Sequence, residues 1–287
     1  LVEHFYSKKK MEKSIWKDAV ALITGGGSGI GKALALAITK RGTKVIVTDI
    51  NLSNAQLVAE ECGESASSFS LDVTDASAVE KIIKASFEKY GHLDFIFNNA
   101  GIAIAGEAQE LSALHWDRII DVNIKGVING ALAAYPLMIK QGAGYIINTA
   151  SLAGLGPAPF LTPYGMTKHA VVGFSTSLRL EAANYGVKVN VLCPAAIETP
   201  LLDSDNPRDL PSVPWVPDMR RFLTSLGGPP YPVDKFAEEA LDGIQQNKGV
   251  IVIPGQARLT WRIGRFIPSL VEKLGLKAVQ VERSFRK

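Results

Sequence analysis

The stretch that decides the fold is AVALITGGGSGIG, Ala19 to Gly31. A short, continuous apolar run ends at glycines, and apolar residues at helical spacing resume at once over 32–40. Such a run predicts a strand buried on both faces, as in a parallel sheet between helical layers. Glycines let the backbone turn sharply and approach a ligand closely. The helix that follows offers unpaired N–H groups and the positive end of its dipole, where a pyrophosphate can sit. The spacing is TGxxxGxG, with Gly25, Gly29 and Gly31 fixed and Ser28 and Ile30 between them.

Moving outward, the β-branched run KVIVT at 44–48 predicts the next strand, and Asp49 ends it. A carboxylate there can accept both hydroxyls of an adenosine ribose and would repel a 2′-phosphate. No Arg or Lys follows directly (Ile50, Asn51). The residues therefore favour NAD over NADP.

The alternation continues. Helical patterns at 53–61, 76–90, 111–139, 163–185 and 236–246 are separated by strand-like runs at 69–71, 93–97, 144–148, 187–192 and 250–253. Right-handed crossovers then give an α/β fold, a single Rossmann-like doubly wound parallel sheet. No linker or internal repeat divides it, so one domain is expected over 18–254. The stretch 194–232 interrupts the pattern with eight prolines before Pro232, yet it carries Leu201, Leu210, Val213, Trp215 and Phe222. Long loops in compact domains are functional or disordered. The apolar content predicts a lid over a hydrophobic small-molecule substrate.

Composition narrows the classes further. A chain of 287 residues, 47% hydrophobic and 21% charged, can bury a large core without staples. Its two cysteines, Cys62 and Cys193, exclude a disulfide framework and a four-ligand zinc site. No metal is expected: His92, His115 and His169 lack partners at ligand spacing. No uninterrupted apolar run reaches membrane-spanning length and no signal-peptide core is present. An intracellular, cytoplasmic setting is the expectation. The net charge of +3 conceals an asymmetry. Residues 1–17 carry five Lys and two Glu, and residues 256–287 carry eight Lys or Arg and two Glu. The body between them is acidic, which argues against a nucleic-acid partner.

Tyr164 and Lys168 form Tyr-x-x-x-Lys near the start of the helix predicted from Pro163, on one helical face. An ammonium near a phenol favours the phenolate, bringing tyrosine into range as an acid or base toward a carbonyl or alcohol. Ser151 follows the strand at 144–148, at the carboxyl edge of the sheet where open α/β folds bind ligands.

Taken together these motifs resemble the short-chain dehydrogenases/reductases over about residues 18–254. The matching segments are TGGGSGIG (24–31), Asp49, LDVTD (71–75), NNAG (98–101), Asn123 in DVNIKG, Ser151 and YGMTK (164–168). The resemblance implies an NAD-dependent oxidoreductase acting on a hydrophobic secondary alcohol or its ketone. Tyr164 would be the acid/base, with Ser151 orienting the substrate oxygen. Lys168 would bind the nicotinamide ribose and lower the tyrosine pKa, and Asn123 would hold a water in a proton relay. Asp72 and Val73 would bracket the adenine. Asn98, Asn99, Ala100 and Gly101 would line the cofactor, as would Pro194, while Ile197 and Thr199 would meet the carboxamide. The family also implies a homodimer or homotetramer built on the long helix and the next one.

The chain departs from the family at Ala195, where glycine is usual and where alanine could not take a positive φ cheaply. An NADP-dependent carbonyl reductase and a non-catalytic dinucleotide-binding module are the rival readings. The C-terminal extension, 255–287, has apolar residues at spacings of three and four with Arg258, Arg262 and Arg265 on another face, and Pro268 is expected to split it into two short helices. Such a segment can lie on a membrane as a peripheral anchor, cap the pocket or pack on a neighbouring subunit.

Overall fold

The computed structural model describes residues 14–286. Most of the basic N-terminal stretch therefore lies outside the described residues. Seven strands, β1 Val20–Thr24, β2 Lys44–Asp49, β3 Ala66–Ser70, β4 Phe95–Asn98, β5 Gly144–Thr149, β6 Val187–Pro194 and β7 Val250–Ile253, form one sheet in the order β3-β2-β1-β4-β5-β6-β7. Every pairing is parallel; Ile23 stands opposite Val47 on one side and Phe97 on the other. The α/β, doubly wound arrangement expected from the apolar runs is what the chain adopts.

Alternation along the strands divides the core in two. Ala21, Ile23, Val45, Val47, Phe95 and Phe97 face one way, onto α1 (Gly29–Thr39), α2 (Leu52–Cys62) and α8 (Val233–Gln245). Val20, Leu22, Ile46, Ile96 and Ile146 face the other way, onto α3 (Ala76–Tyr90) and α5 (Gly126–Gln141), with α6 (Thr162–Ala182) beside them. The chain winds outward from β1 to β3, then returns to place β4 on β1's free edge. That reversal opens a crevice at the carboxyl ends of β1 and β4, where α/β sheets bind ligands.

Two elements differ from the sequence expectation. β3 is ASSFS, shifted from 69–71, and half polar because an edge strand need not be buried on both faces. The expected long helix is α4 (Ala113–Ile120) and α5 joined by a π turn, Asp121–Lys125. By length and composition Ala113–Gln141 could cross a membrane, although charged and polar residues interrupt its apolar run. Here it buries Val127, Ala131, Ala134 and Met138 within the fold.

The interruption at 194–232 holds a short 3₁₀ turn (Pro200–Asp203) and α7 (Met219–Gly227). After β7 come α9 (Gly255–Phe266) and α10 (Pro268–Arg283), parted at Pro268 as the sequence predicts. Ala195 has no positive φ, and its N–H donates to Ile253 O at 2.9 Å. Alanine is thus unstrained where the family uses glycine.

Candidate active site

The glycine turn is closed by backbone contact. A Cβ on Gly31 would lie 2.1 Å from the Gly25 carbonyl oxygen, so no side chain fits there. Gly25 and Gly29 take positive φ, +61° and +51°, a conformation costly for other residues. Ser28, the N-cap of α1, makes no side-chain cap and the first turn carries no acidic residue. The helix start therefore keeps open donors and an uncompensated positive dipole end. Gly29 faces Thr199, whose side chain would lie 3.4 Å from an added Cβ. The turn and the loop after β6 thus form two walls of one cradle, and its open N–H donors suit a dinucleotide pyrophosphate. Asp49 reaches over the turn: its Oδ2 accepts from Gly27 N at 3.0 Å and its Oδ1 from Asn51 N at 3.0 Å.

The NNAG segment braces this turn. Thr24 Oγ1 accepts from Asn99 N (3.0 Å) and Ala100 N (3.1 Å), and Asn99 Nδ2 donates to the Thr24 and Gly25 carbonyls, each at 3.2 Å. Asn98 Nδ2 donates to Asn148 Oδ1 at 2.8 Å, tying β4 to β5. Asp72 turns onto Thr74, with Oδ1 accepting from its N and Oγ1. Val73 is buried beneath Gly126, where an added Cβ would meet it at 2.6 Å.

Four side chains expected to act together converge beside the crevice. Ser151 follows β5; its Oγ accepts from Ala153 N at 3.1 Å and lies 3.4 Å from the Pro194 carbonyl. Tyr164 sits in the first turn of α6, in an apolar cluster with Ile102, Trp116, Leu210 and Val213. Lys168, one turn on, is buried and donates from Nζ to Thr149 O at 2.9 Å, with Nζ 5.4 Å from the Tyr164 ring centre. Asn123 lies in the π turn, an irregularity that often marks functional positions. Its carboxamide pairs with the backbone of Ile102 (both bonds 2.9 Å) and donates to Thr167 Oγ1 at 3.1 Å. Gly101 brings Asn123 and Lys168 together: an added Cβ would lie 3.2 Å from Asn123 Oδ1 and 3.3 Å from Lys168 Nζ.

The electrostatics correct one expectation. Burial holds the Tyr164 phenol above its ordinary pKa, and the Ser151 hydroxyl opposes this only in part. The i, i+4 spacing predicted the reverse. The reason is that burial acts on both groups, and pushes the Lys168 ammonium itself down to about 8. Burial also pushes the Cys193 thiol up to about 12, so Cys193 is a packed, inert side chain.

Several residues of the site escaped the sequence reading. Phe160 is buried with φ +62° and packs edge-on to both Trp215 and Phe222, joining the Tyr164 segment to the lid. Asn206 clasps Ala105 through paired 2.8 Å bonds. The lid is tied further by Arg220 to Glu198 and Asp203, and by Arg221 to the buried Glu282 of α10. Arg283 forks onto the buried Glu107 at 2.7 and 2.9 Å. His115 is a core residue, shared between Ser112 and the Pro211 carbonyl. No local pattern announces these pairs, because the partners of Glu282 and Arg283 lie 61 and 176 residues away.

A doubly wound sheet with a glycine-turn cradle and a Ser, Tyr, Lys, Asn cluster at its switch point defines a class of dinucleotide-binding fold. The profile of the short chain dehydrogenase family matches residues 19–209. The chain belongs to that family of oxidoreductases. An uncharacterized oxidoreductase of Staphylococcus aureus is 36% identical over 197 residues, which span 68% of this chain and 85% of the relative. One from Staphylococcus epidermidis is 35% identical over 187 residues, 65% and 81% of the two chains. Among solved structures, a short chain dehydrogenase/reductase from Burkholderia phymatum in complex with NAD superposes with a TM-score of 0.81 at 27% identity, covering 90% of this chain and 96% of its own. The 3-ketoacyl-(acyl-carrier-protein) reductase of Brucella melitensis, complexed with NADH, gives 0.74 at 32% identity, covering 84% and 99%.

Proposed function

We propose that this protein is an NAD-dependent oxidoreductase interconverting a hydrophobic secondary alcohol and its ketone. The observation that carries the reading is the convergence of Ser151, Tyr164, Lys168 and Asn123 beside the glycine-turn cradle, roofed by an apolar lid. Gly25, Ser28, Gly29, Ile30 and Gly31 would hold the pyrophosphate, Asp49 the adenosine ribose, and Asp72 and Val73 the adenine side. Ala100, Gly101, Pro194, Ile197 and Thr199 would line the nicotinamide half. When bound, that group supplies the two-electron redox chemistry.

The residues manage the proton and the geometry. Tyr164 takes the alcohol proton or gives one to the ketone oxygen. Ser151 hydrogen-bonds the same oxygen and orients it. Lys168 would hold the nicotinamide ribose, and Asn123, which faces it across Gly101, would carry protons away from the site. Leu210, Val213 and Trp116 around Tyr164 favour an apolar substrate. NAD is favoured because Asp49 stands at the cradle's edge, where its charge opposes a 2′-phosphate, and Ile50 and Asn51 rather than Arg or Lys follow it. The NAD and NADH complexes of the two structural relatives agree with this choice. We further infer self-association through the outer faces of α5 and α6, where Leu132 and Leu180 are exposed.

The test is Tyr164→Phe, assayed with NAD and NADP over a panel of apolar secondary alcohols and ketones. Turnover should fall by roughly 10²–10⁴-fold while NAD affinity stays near wild type. Undiminished turnover overturns the catalytic assignment, and tighter binding of NADP than NAD overturns the role of Asp49.

A further inference from the structure

Among the described residues, nine of the 21 exposed large apolar side chains lie in the 32 residues 255–286. That concentration marks a patch rather than scattered surface residues. On α9 the inward face is Ala257, Trp261 and Gly264, with Gly264 so close to α10 that an added Cβ would meet Val271 at 2.9 Å. The opposite face carries Leu259, Ile263 and Phe266, and Phe266 is 87% exposed. On α10 the inward face ends at the buried Glu282, clamped by Arg221, while Leu270, Leu274 and Val281 form an outward stripe. On α9 the side that faces away from the protein is therefore apolar, and on α10 the apolar stripe runs along one flank of the exposed side.

The rim of that side is basic. Arg262 flanks the α9 stripe, and Lys273 and Lys277 flank the α10 stripe at helical spacing. Among the described residues, none of the three makes an ion pair. Apart from the buried Glu282, Glu272 is the only acid in 255–286. A second copy is a poor occupant, because a two-fold contact sets each patch against itself and brings these like charges together. An anionic surface complements both the charge and the apolar stripe.

We propose that α9 and α10 form a docking surface for an anionic lipid bilayer, with Leu259, Phe266 and Leu274 entering the headgroup region and Arg262, Lys273 and Lys277 meeting lipid phosphates and carboxylates. The ion pairs of Glu282 and Arg283 fix α10 against the lid and against Glu107. The proposed surface therefore belongs to a helix fixed to the lid, which, on the proposed function, suits an apolar substrate drawn from the membrane.

The experiment is flotation of the full chain with vesicles of phosphatidylcholine alone or mixed with phosphatidylserine, at low and high salt. The protein should float with the anionic vesicles and not with the zwitterionic ones, and salt should release it. Phe266→Asp should abolish flotation. Arg262→Gln and Lys273→Gln should each weaken it about five-fold. All three positions are exposed, so thermal unfolding should stay at the wild-type midpoint. If Phe266→Asp lowers that midpoint, the pair Leu259→Ser and Leu274→Ser repeats the test. Absence of flotation on anionic vesicles at low salt overturns the proposal. So does flotation unchanged by these variants, or a patch whose loss changes only the sedimentation of the free protein.

Discussion

The cradle at β1 and the lid at 194–232 both frame the same crevice, and they are held by different forces. The cradle is closed by backbone contacts and short-range hydrogen bonds. Gly31 abuts the Gly25 carbonyl, and Thr24 and Asn99 cross-brace β1 to β4. The lid is held by charged side chains: Arg221 on Glu282 and Arg118 on Asp209 tie it to remote parts of the chain, and Arg220 on Glu198 and Asp203 ties it to itself. A rigid turn suits an invariant cofactor. A roof held by ion pairs can loosen locally without unfolding the sheet, and can be retuned residue by residue for a substrate.

Three substitutions test that contrast. Gly31→Ala attacks the cradle where nothing can yield, since the new methyl would meet backbone oxygen at 2.1 Å. A loss of about 4 kcal/mol or more is expected, with NAD binding abolished, measured by urea unfolding and cofactor titration. Wild-type affinity in this variant would show that the turn is as adaptable as the lid.

Lys168 lies between the two regions. Its folded pKa of about 8 is below the ordinary 10.5. Between those values the unfolded chain binds a proton that the folded one has released, so stability contributed at this site rises with pH. Relative to Lys168→Met, wild type should gain on the order of 3 kcal/mol across that window. Cys193 works in the opposite sense: its thiol is raised from 9.0 to about 12, so its contribution falls as pH rises above 9.0. The comparison is therefore made in a Cys193→Ala background by urea unfolding at stepped pH. A flat difference would mean that Lys168 is solvated.

Arg283→Met should have the smallest effect. It leaves the Glu107 carboxylate buried and unpaired while keeping the apolar stem. KM for an apolar substrate should rise several-fold with kcat nearly unchanged, and hydrogen exchange should quicken across the lid but not in β1. Equal quickening in both would dissolve the distinction between them.

Legibility follows the same division. The strand-turn-helix start, the sheet and the Tyr164 and Lys168 pair were readable because each depends on residues within a few positions of one another. The shift of β3 to Ala66–Ser70 was not readable, since ASSFS has no apolar run and is a strand only because β2 offers it an edge. The π turn at Asp121–Lys125 was likewise hidden inside a helical pattern. Phe160 at φ +62° runs against its own propensity, and edge-on packing with Trp215 and Phe222 holds it there.

The architecture, the cradle and the identity of the groups that converge beside it are written in local stretches of the chain. Periodicity and glycine stereochemistry are local physics and do not wait for the fold. Tertiary structure decided the state of those groups. It raised Tyr164 where spacing alone predicted a lowered pKa, because burial penalises charge on every side chain it encloses. It also decided which way the two-helix C-terminal extension faces. One face of α10 is pinned inward by Glu282, and the apolar stripe beside it is left looking out.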